Sequence, residues 1–281
     1  MKKTCSIVIL TLLCFALKAQ SVPFIVRNTD PRSLAMGIVG TENPAAANVF
    51  SGNKMDFSAS YGIQDTDCFQ CGLAGFNASL NSGNLSFGLD GRYNMDEEYE
   101  MFSGVAQSLG YFKPSEMSLA ASFAYAFMAG FSLGLRASYI SSKLSPEASG
   151  TSVGFDISAA YSKDRFCAVL ALRNLGPEIK YGDYGYALPS LAALGISCGG
   201  ESFRLRFEAG CFFSGSAMAG AGAEYTFARI VSLRAGFHYG DDGIIPMFSS
   251  VGLGVKFAGA RLDCTYLPSV GSLSFGLGYS F

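Results

Sequence analysis

The sequence predicts an all-β protein: a transmembrane antiparallel β-barrel of about 14 strands with a small amino-terminal hatch or plug. Three observations support this fold. Apolar residues alternate with small or polar residues through most of the chain, no long apolar run follows the amino terminus, and short and long connections alternate between successive segments. Alternation gives a strand one apolar and one polar face, which suits a wall between lipid and a polar lumen.

The last ten residues show this alternation most clearly. Large apolar side chains occupy every second position of residues 272–281, and Ser or Gly occupies the positions between them. The segment resembles the closing strand of a bacterial outer-membrane β-barrel. The resemblance implies that Tyr279 and Phe281 form a terminal assembly signal for the barrel-assembly machinery. One such strand is equally typical of a soluble sheet, so the prediction depends on recurrence of the pattern upstream.

The composition restricts the class of protein. Apolar residues make up 49% of the 281 residues and charged residues only 15%. The apolar residues are nevertheless dispersed, and beyond the amino terminus they form no run of about 18, which excludes membrane-spanning helices there. The formal net charge is −2, and a cleaved leader would remove Lys2, Lys3 and Lys18, so nucleic acid is not expected as a partner.

Residues 1–19 predict a signal peptide. Lys2 and Lys3 form a charged start, Ser6 to Phe15 an apolar centre, and Ala19 a cleavage edge. The apolar stretch is too short to cross a membrane as a helix. We therefore expect export, removal of the leader, and location in the outer membrane of a Gram-negative bacterium, in contact with outer-membrane lipid.

Apolar and polar residues do not alternate in residues 20–53, and we expect this segment to form a compact hatch that packs inside or below the barrel. Asp30 is suited to cap a short helix that begins at Pro31 and runs towards Gly37. The Asn43-Pro44 pair predicts a turn into an alanine-rich piece. The expected hatch motif consists of Asp30, Pro31, Arg32, Met36, Gly37, Asn43 and Pro44.

Residues 54–281 predict the barrel itself. Connections after even-numbered segments are short, as at Met128-Ala129, whereas those after odd-numbered segments are mostly longer, as at Asn94 to Ser115. The exception is Ser214 to Ser216. A barrel with both ends on one side of the membrane needs an even strand count, with short turns at one end and longer loops at the other. Tyrosines that end apolar faces are expected at the membrane–water girdle: Tyr61, Tyr93, Tyr139, Tyr161, Tyr239 and Tyr266.

Charged strand residues fall on the face opposite the lipid. Because a lipid-facing Arg or Lys at mid-depth costs about 2–4 kcal/mol, this placement is expected of a barrel. Two interpretations of the charges remain open: they pair with one another and with the hatch, or Arg204, Arg206 and Arg234 line a path for an anionic ligand. The predicted lumen charges are Arg92, Arg136, Asp156, Arg204, Arg206, Glu208, Glu224 and Arg234.

The sequence gives little support for catalysis or cofactor binding. It contains no H-E-x-x-H and no phosphate-binding loop, and its one histidine, His238, is expected to be a lumen polar residue. Cys68 and Cys71 could form a redox pair, half a zinc site or a local disulfide, or remain free thiols. We expect no enzyme activity, no catalytic residue, no cofactor and no metal site.

Three stretches together carry a family resemblance: Asp30-Pro31-Arg32-Ser33-Leu34-Ala35-Met36-Gly37 followed by Asn43-Pro44-Ala45, then Leu172-Arg173-Asn174-Leu175-Gly176-Pro177, and the terminal aromatic strand. The chain resembles the PorV/PorQ family of Bacteroidetes outer-membrane proteins, which is related to the FadL-like long-chain fatty-acid transporter barrels. The resemblance spans the chain after the leader and implies a fourteen-stranded barrel with an amino-terminal hatch.

The resemblance implies two functional hypotheses. Proteins of the PorV type are similar to accessory components of type IX secretion, which implies that this chain binds a protein partner in the outer membrane, in secretion or in outer-membrane assembly. The fatty-acid transporters instead pass hydrophobic ligands, which implies a passive channel for hydrophobic or small amphipathic compounds. The first is the leading hypothesis from sequence and the second is the alternative.

Overall fold

The computed structural model describes residues 22–42, 44–66, 69–104, 107–240 and 244–281. The predicted leader, Asn43 of the hatch motif and Cys68 of the cysteine pair lie outside these residues. Within them, no helix has the length and apolar character that crossing a membrane requires.

The described chain is built almost entirely of strands, because alternation of apolar and polar residues favours an extended strand with one face in lipid. In chain order the strands are β1 (Met55–Thr66), β2 (Phe69–Ser82), β3 (Leu85–Met95), β4 (Tyr99–Phe102), β5 (Ser108–Phe112), β6 (Ser115–Met128), β7 (Phe131–Lys143), β8 (Ser149–Lys163), β9 (Phe166–Leu175), β10 (Ile179–Tyr181), β11 (Tyr184–Tyr186), β12 (Leu191–Gly199), β13 (Phe203–Phe212), β14 (Ala217–Phe227), β15 (Val231–Tyr239), β16 (Phe248–Phe257), β17 (Ala260–Leu267) and β18 (Ser272–Ser280).

Fourteen of these strands pair with their neighbours along the chain and close into one antiparallel barrel, which confirms the predicted fold class. The other four form two separate hairpins, β4–β5 and β10–β11. The first hairpin lies in the segment between β3 and β6, which we predicted only as a long connection. Tyr99 lies opposite Phe112 in this hairpin, with ring centroids 5.8 Å apart, so an aromatic cross-strand pair helps to order it.

The connections alternate in length as predicted with two exceptions: β1 ends at Thr66 and β2 begins at Phe69, where we expected a longer connection, and only four residues separate β13 from β14. Two or three residues separate β2 from β3, β6 from β7, β8 from β9, β12 from β13, β14 from β15 and β16 from β17. We call this the turn end of the barrel, and the opposite end, with both hairpins, the loop end. At the turn between β16 and β17 both Ala258 and Gly259 have positive φ, as a tight two-residue hairpin turn requires. In outer-membrane barrels short turns face the periplasm.

Strands β1 and β18 close the barrel. They pair from Asp56 opposite Ser280 to Gln64 opposite Ser272. The terminal residue extends the closure: the backbone N–H of Phe281 donates to Met55 O at 2.9 Å, and the N–H of Lys54 donates to Phe281 O at 3.0 Å. The closure leaves no unpaired strand edge in the barrel wall.

The two faces of the wall differ as the alternation predicts. Side chains on the lipid face are large, apolar and exposed, such as Leu135 at 58% and Leu277 at 58%. The inward face of the same strands carries small buried polar residues such as Ser138 and Ser158. A lipid-facing apolar surface together with a polar interior is the pattern of a transmembrane barrel.

The hatch crosses the lumen from the loop end to the turn end. A 3-10 turn (Pro23–Ile25) is followed by helix α1 (Pro31–Leu34) and helix α2 (Ala45–Asn48), and β1 begins shortly afterwards. Gly37 has φ +70°, and an added Cβ there would collide with the backbone of Phe237. Gly222 and Gly236 likewise leave room for the backbone of Met36. Hatch and wall are therefore in close backbone contact.

An apolar cluster closes the loop end, and we call it the loop-end cluster. The hatch contributes Val22, Phe24, Ile25 and Val26, each with 4% exposure or less. These side chains pack against residues of the wall and of the long loops, including Ile140, Ile179, Leu188, Leu191, Phe212, Ile245, Phe248 and Leu267. Burial of this surface from water stabilises the docked hatch.

The depth at which lipid-facing residues lie in the membrane can be tested by introducing one charged side chain. We expect Leu135→Arg, midway along β7, to lower the free energy of unfolding by about 2–4 kcal/mol, and Phe131→Arg, at the turn end of the same strand, by about 0–1 kcal/mol. Guanidinium unfolding in lipid vesicles measures both. Equal losses for the two variants would contradict the depths assigned to them.

Candidate functional site

The lumen contains two groups of buried charges, and the first lies between β3 and β9. Arg136 donates from Nε and Nη2 to the two carboxylate oxygens of Asp90 at 2.9 and 2.6 Å. Its Nη1 donates to Asp156 Oδ2 at 2.9 Å, and the other oxygen of Asp156 accepts from the backbone N–H of Asn174 at 2.7 Å. Arg173 Nε lies 3.7 Å from Asp156. Within this β3–β9 charge group, Asp90, Arg136 and Asp156 find their partners in the wall.

Arg92 connects this group to the hatch. Its Nη1 donates to the carbonyl oxygens of Ile25 and Arg27 at 2.7 and 2.8 Å, and its Nη2 to Glu42 Oε2 at 3.4 Å. Arg173 also donates from Nη1 to Val39 O at 3.2 Å. These two wall arginines therefore hold both the loop-end part and the middle of the hatch.

The second group lies between β13 and β17, and Glu224 is at its centre. Arg32 of the hatch donates to Glu224 from Nη2 at 2.7 Å and from Nε at 3.0 Å, and Arg234 donates from Nε at 2.6 Å. Arg234 also donates from Nη1 to Asp263 at 2.6 Å, and Arg261 Nε lies 3.1 Å from Asp263. This β13–β17 charge group joins helix α1 to β14, β15 and β17.

Glu208 binds the hatch backbone directly. Its Oε1 accepts from the N–H groups of Val39 at 2.6 Å and Gly40 at 3.2 Å. Its Oε2 accepts from the N–H and the Oγ1 of Thr41 at 3.1 and 3.0 Å. The side chain of Glu208 is 0% exposed, so four charge-assisted hydrogen bonds compensate the burial of one carboxylate.

Two further wall residues contact helix α1 and the turn that follows it. Thr265 donates from Oγ1 to Pro31 O at 2.6 Å. His238 is fully buried, stacks on Phe248 with ring centroids 5.0 Å apart, and its Nδ1 lies 3.2 Å from Gly37 O. The structure thus places His238 as a polar lumen residue against the hatch.

Asp30 caps helix α1. Its carboxylate accepts from the N–H of Arg32 at 3.4 Å and from the N–H and Oγ of Ser33 at 3.1 and 2.7 Å. Burial acts to raise the pKa of Asp30, but Arg261, Ser33 and Arg32 outweigh it, and the pKa lies below its ordinary value. For Glu42, burial dominates and raises the pKa. Asp30 therefore remains an acceptor at neutral pH.

A cavity separates the hatch from the wall near the loop end. Its volume is about 90 Å³, and apolar side chains from both sides line it, with Arg27, Asn28 and Cys71 among the polar ones. The apolar lining includes Leu34, Val39, Leu73, Ile245, Phe248 and Leu267. Because Leu34 and Val39 belong to the hatch, a shift of the hatch would change the size of this hatch cavity.

The structure brings the predicted lumen charges into two groups. Arg92, Arg136 and Asp156 belong to the first, and Arg204, Arg206, Glu224 and Arg234 lie in or beside the second, with Glu208 next to it. Sequence reasoning missed Arg173 and Glu42 as members. Alternation along β9 places Arg173 on the inward face, because Leu170 and Leu172 take the opposite face of the same strand. Glu42 lies in the hatch, where no alternation exists to orient it.

The role of Glu208 can be tested by substitution and hydrogen–deuterium exchange. We expect Glu208→Gln to release residues 39–41 of the hatch, because an amide NH₂ would face backbone donors where a carboxylate oxygen accepts. Hydrogen–deuterium exchange in nanodiscs should show faster exchange of these amides. Glu201→Gln, a carboxylate with 70% exposure at the turn end, is the matched control. Unchanged protection in Glu208→Gln would exclude this role.

The contribution of the β13–β17 charge group to stability can be tested at Glu224. Glu224→Gln leaves the buried Arg234 and the partly exposed Arg32 with fewer acceptors, and we expect a loss of about 3–5 kcal/mol in the free energy of unfolding. The exposed pair of Arg229 and Glu201 should contribute only about 0–1 kcal/mol, which Glu201→Gln measures. Similar losses in both variants would show that Glu224 is not an organising carboxylate.

Comparisons with known proteins identify the fold. No protein-family profile and no curated protein sequence matches the chain. The toluene transporter TbuX of Ralstonia pickettii is similar in structure, with TM-score 0.65 and 13% identity over 92% of this chain and 99% of that one. The toluene transporter TodX of Pseudomonas putida gives 0.65 and 12% over 95% and 99%. A FadL homologue of Pseudomonas aeruginosa gives 0.54 and 14% over 91% and 95%. The chain has the fold of FadL-like outer-membrane β-barrels.

Proposed function

We propose that the protein is a passive outer-membrane channel for hydrophobic or small amphipathic compounds, and that it performs no chemical step on them. The observation that carries this proposal is the hatch cavity, an apolar space between a docked hatch and the wall of a barrel. Solved barrels of the same fold include the toluene transporters TbuX and TodX, whose cargo is apolar. This favours the channel over the secretion hypothesis.

The size of the cavity fits a closed state of such a channel. An engineered apolar cavity of ~150 Å³ in another protein takes up benzene, so a ring of that size needs somewhat more room than the hatch cavity offers. Movement of Leu34 or Val39 with the hatch would supply it. Entry of an apolar compound then replaces water contact with contact to Leu73, Phe248 and Leu267, which is favourable.

The hatch is suited to remain bound while its middle moves. Its loop-end part is held by Arg92 through backbone carbonyls, and its turn-end part packs α2 against β7 and β8. The segment between them, near Val39, is held by hydrogen bonds to Glu208. A local shift of this segment therefore does not require the hatch to leave the barrel.

Transport by the hatch cavity can be tested by filling it. We expect vesicles containing the protein to take up radiolabelled toluene faster than protein-free vesicles, and Leu73→Trp to abolish the difference, because an indole would occupy the cavity from β2. Leu80→Trp, on the lipid face of the same strand, is the matched control and should retain uptake. Uptake unaffected by Leu73→Trp would show that the path lies elsewhere.

Partner binding of the PorV/PorQ type is a second candidate, and one observation favours it. The β4–β5 hairpin at the loop end exposes large apolar side chains: Phe102 at 59%, Leu109 at 61% and Tyr111 at 66%. Exposed apolar patches outside the lipid belt are typical of protein-binding surfaces. A stoichiometric protein partner recovered from the native outer membrane, with no toluene uptake in vesicles, would favour this candidate over the channel.

A further inference from the structure

The outer face of the wall carries a row of aromatic rings at the turn end. The row crosses β6, β7, β8 and β9, and we call it the aromatic row: Phe127, Phe131, Tyr161 and Phe166. Successive ring centroids lie 6.4, 4.5 and 6.5 Å apart. Phe127 is 45% exposed, and Phe131 and Phe166 are each 41% exposed. Aromatic side chains in this position mark the level at which lipid headgroups meet the hydrocarbon.

Two cationic side chains lie directly beyond this row, at the turn between β8 and β9. Lys163 is the last residue of β8, two residues after Tyr161, so alternation along the strand places its side chain on the same outer face. In the register of the wall Lys163 is directly opposite Phe166, a second ring of the row. Arg165 lies in the turn itself, and both cationic side chains are exposed. Cations and rings therefore form one continuous surface.

Neither cation has a carboxylate partner. Among the described residues, neither the Lys163 ammonium nor the Arg165 guanidinium forms an ion pair. At the turn between β14 and β15, by contrast, Arg229 is engaged by Glu201 at 2.7 Å. The β8–β9 turn also contains Asp164, so two cations against one carboxylate leave a net charge of +1. A positive charge at a membrane surface attracts anionic lipids.

The position of this turn in the membrane indicates the type of ligand. Short turns of outer-membrane barrels face the periplasm, so the headgroups of the periplasmic leaflet lie next to Lys163 and Arg165. A lipid phosphate accepts charge-assisted hydrogen bonds from both cations, and the acyl chains below it contact exposed rings. A soluble phosphate would lack this apolar contact. A zwitterionic lipid carries its own ammonium group, which competes with both cations for the phosphate.

We infer that Lys163 and Arg165 form a headgroup site for an anionic glycerophospholipid, and that the aromatic row receives the acyl chains of this lipid. The site lies on the outer face of the wall, so it is independent of the lumen and goes beyond the proposed channel function. It needs no movement of the hatch, because both cations and all four rings belong to the wall and its turn.

Quenching of tryptophan fluorescence by brominated lipid tests the site, because the chain contains no tryptophan. Leu170→Trp places one reporter on the outer face of β9, four residues from Phe166. The full chain is reconstituted in vesicles that mix brominated phosphatidylglycerol with unlabelled phosphatidylcholine in different proportions. We expect phosphatidylglycerol to be preferred about fivefold beside this reporter, the effect of one net charge near a membrane surface.

Three changes to exposed side chains, each made with the Leu170→Trp reporter, make the result specific. Lys163→Gln combined with Arg165→Gln should abolish the preference. Asp164→Asn should raise it about fivefold further, and Asn tolerates the φ of +54° at this position. Lys143→Gln removes an exposed outer-face lysine at the loop end of β7 and, as the matched control, should change nothing. Thermal unfolding in the same vesicles verifies that each barrel is intact.

A second reporter separates a site from a general surface charge. Leu253→Trp lies on the outer face of β16, four residues from Phe257 at the turn end, and should show no preference. Equal preference at both reporters, or an unchanged preference in the double Gln variant, would overturn the inference. Displacement of phosphatidylglycerol by soluble glycerol phosphate would also overturn it, by assigning the cations to a soluble anion. Toluene uptake by the same vesicles reports on the channel separately.

Discussion

The fold depends on one constraint: in the hydrocarbon core no water is available to satisfy a backbone N–H or C=O group, so every strand must pair on both sides. The pairing of β1 with β18 meets this requirement, and Phe281 extends it through hydrogen bonds with Met55 and Lys54. Closure in turn fixes which face of each strand meets lipid. The inward direction of the arginines and carboxylates follows from it.

Closure also creates the need for the hatch. A barrel of fourteen strands encloses more space than its own side chains fill. The hatch occupies this space without a sheet or a long helix of its own, so the wall must satisfy its backbone groups. Glu208 accepts from three consecutive hatch residues, and Arg92 donates to two hatch carbonyls. The buried charges of the lumen are therefore largely explained as ligands of the hatch.

The alternation of apolar residues and the lengths of the connections predict the barrel because both follow from simple rules. Side chains along a strand alternate between its two faces, and an even number of strands places both chain ends at the same end of the barrel. They also predict that Arg136 and Glu224 point inwards. They do not predict which partner each charge meets. Arg32 and Glu224 are separated by 192 positions, and their contact depends on how deeply the hatch inserts. The β4–β5 hairpin was missed because its strands are short and one contains a bulge, which disrupts the alternation.

The two ends of the lumen differ in polarity. The hatch cavity near the loop end is apolar, whereas Arg204 and Arg206 near the turn end are cationic and partly free. The barrier between them is the hatch from α1 to Thr41, held by Glu224 at one end and by Glu208 at the other. These contacts are buried, and Met36, Ile38 and Val39 pack beside them with 2% exposure or less. Under the proposed channel function, passage of a compound requires displacement of this buried segment, while α2 stays packed against β7 and β8.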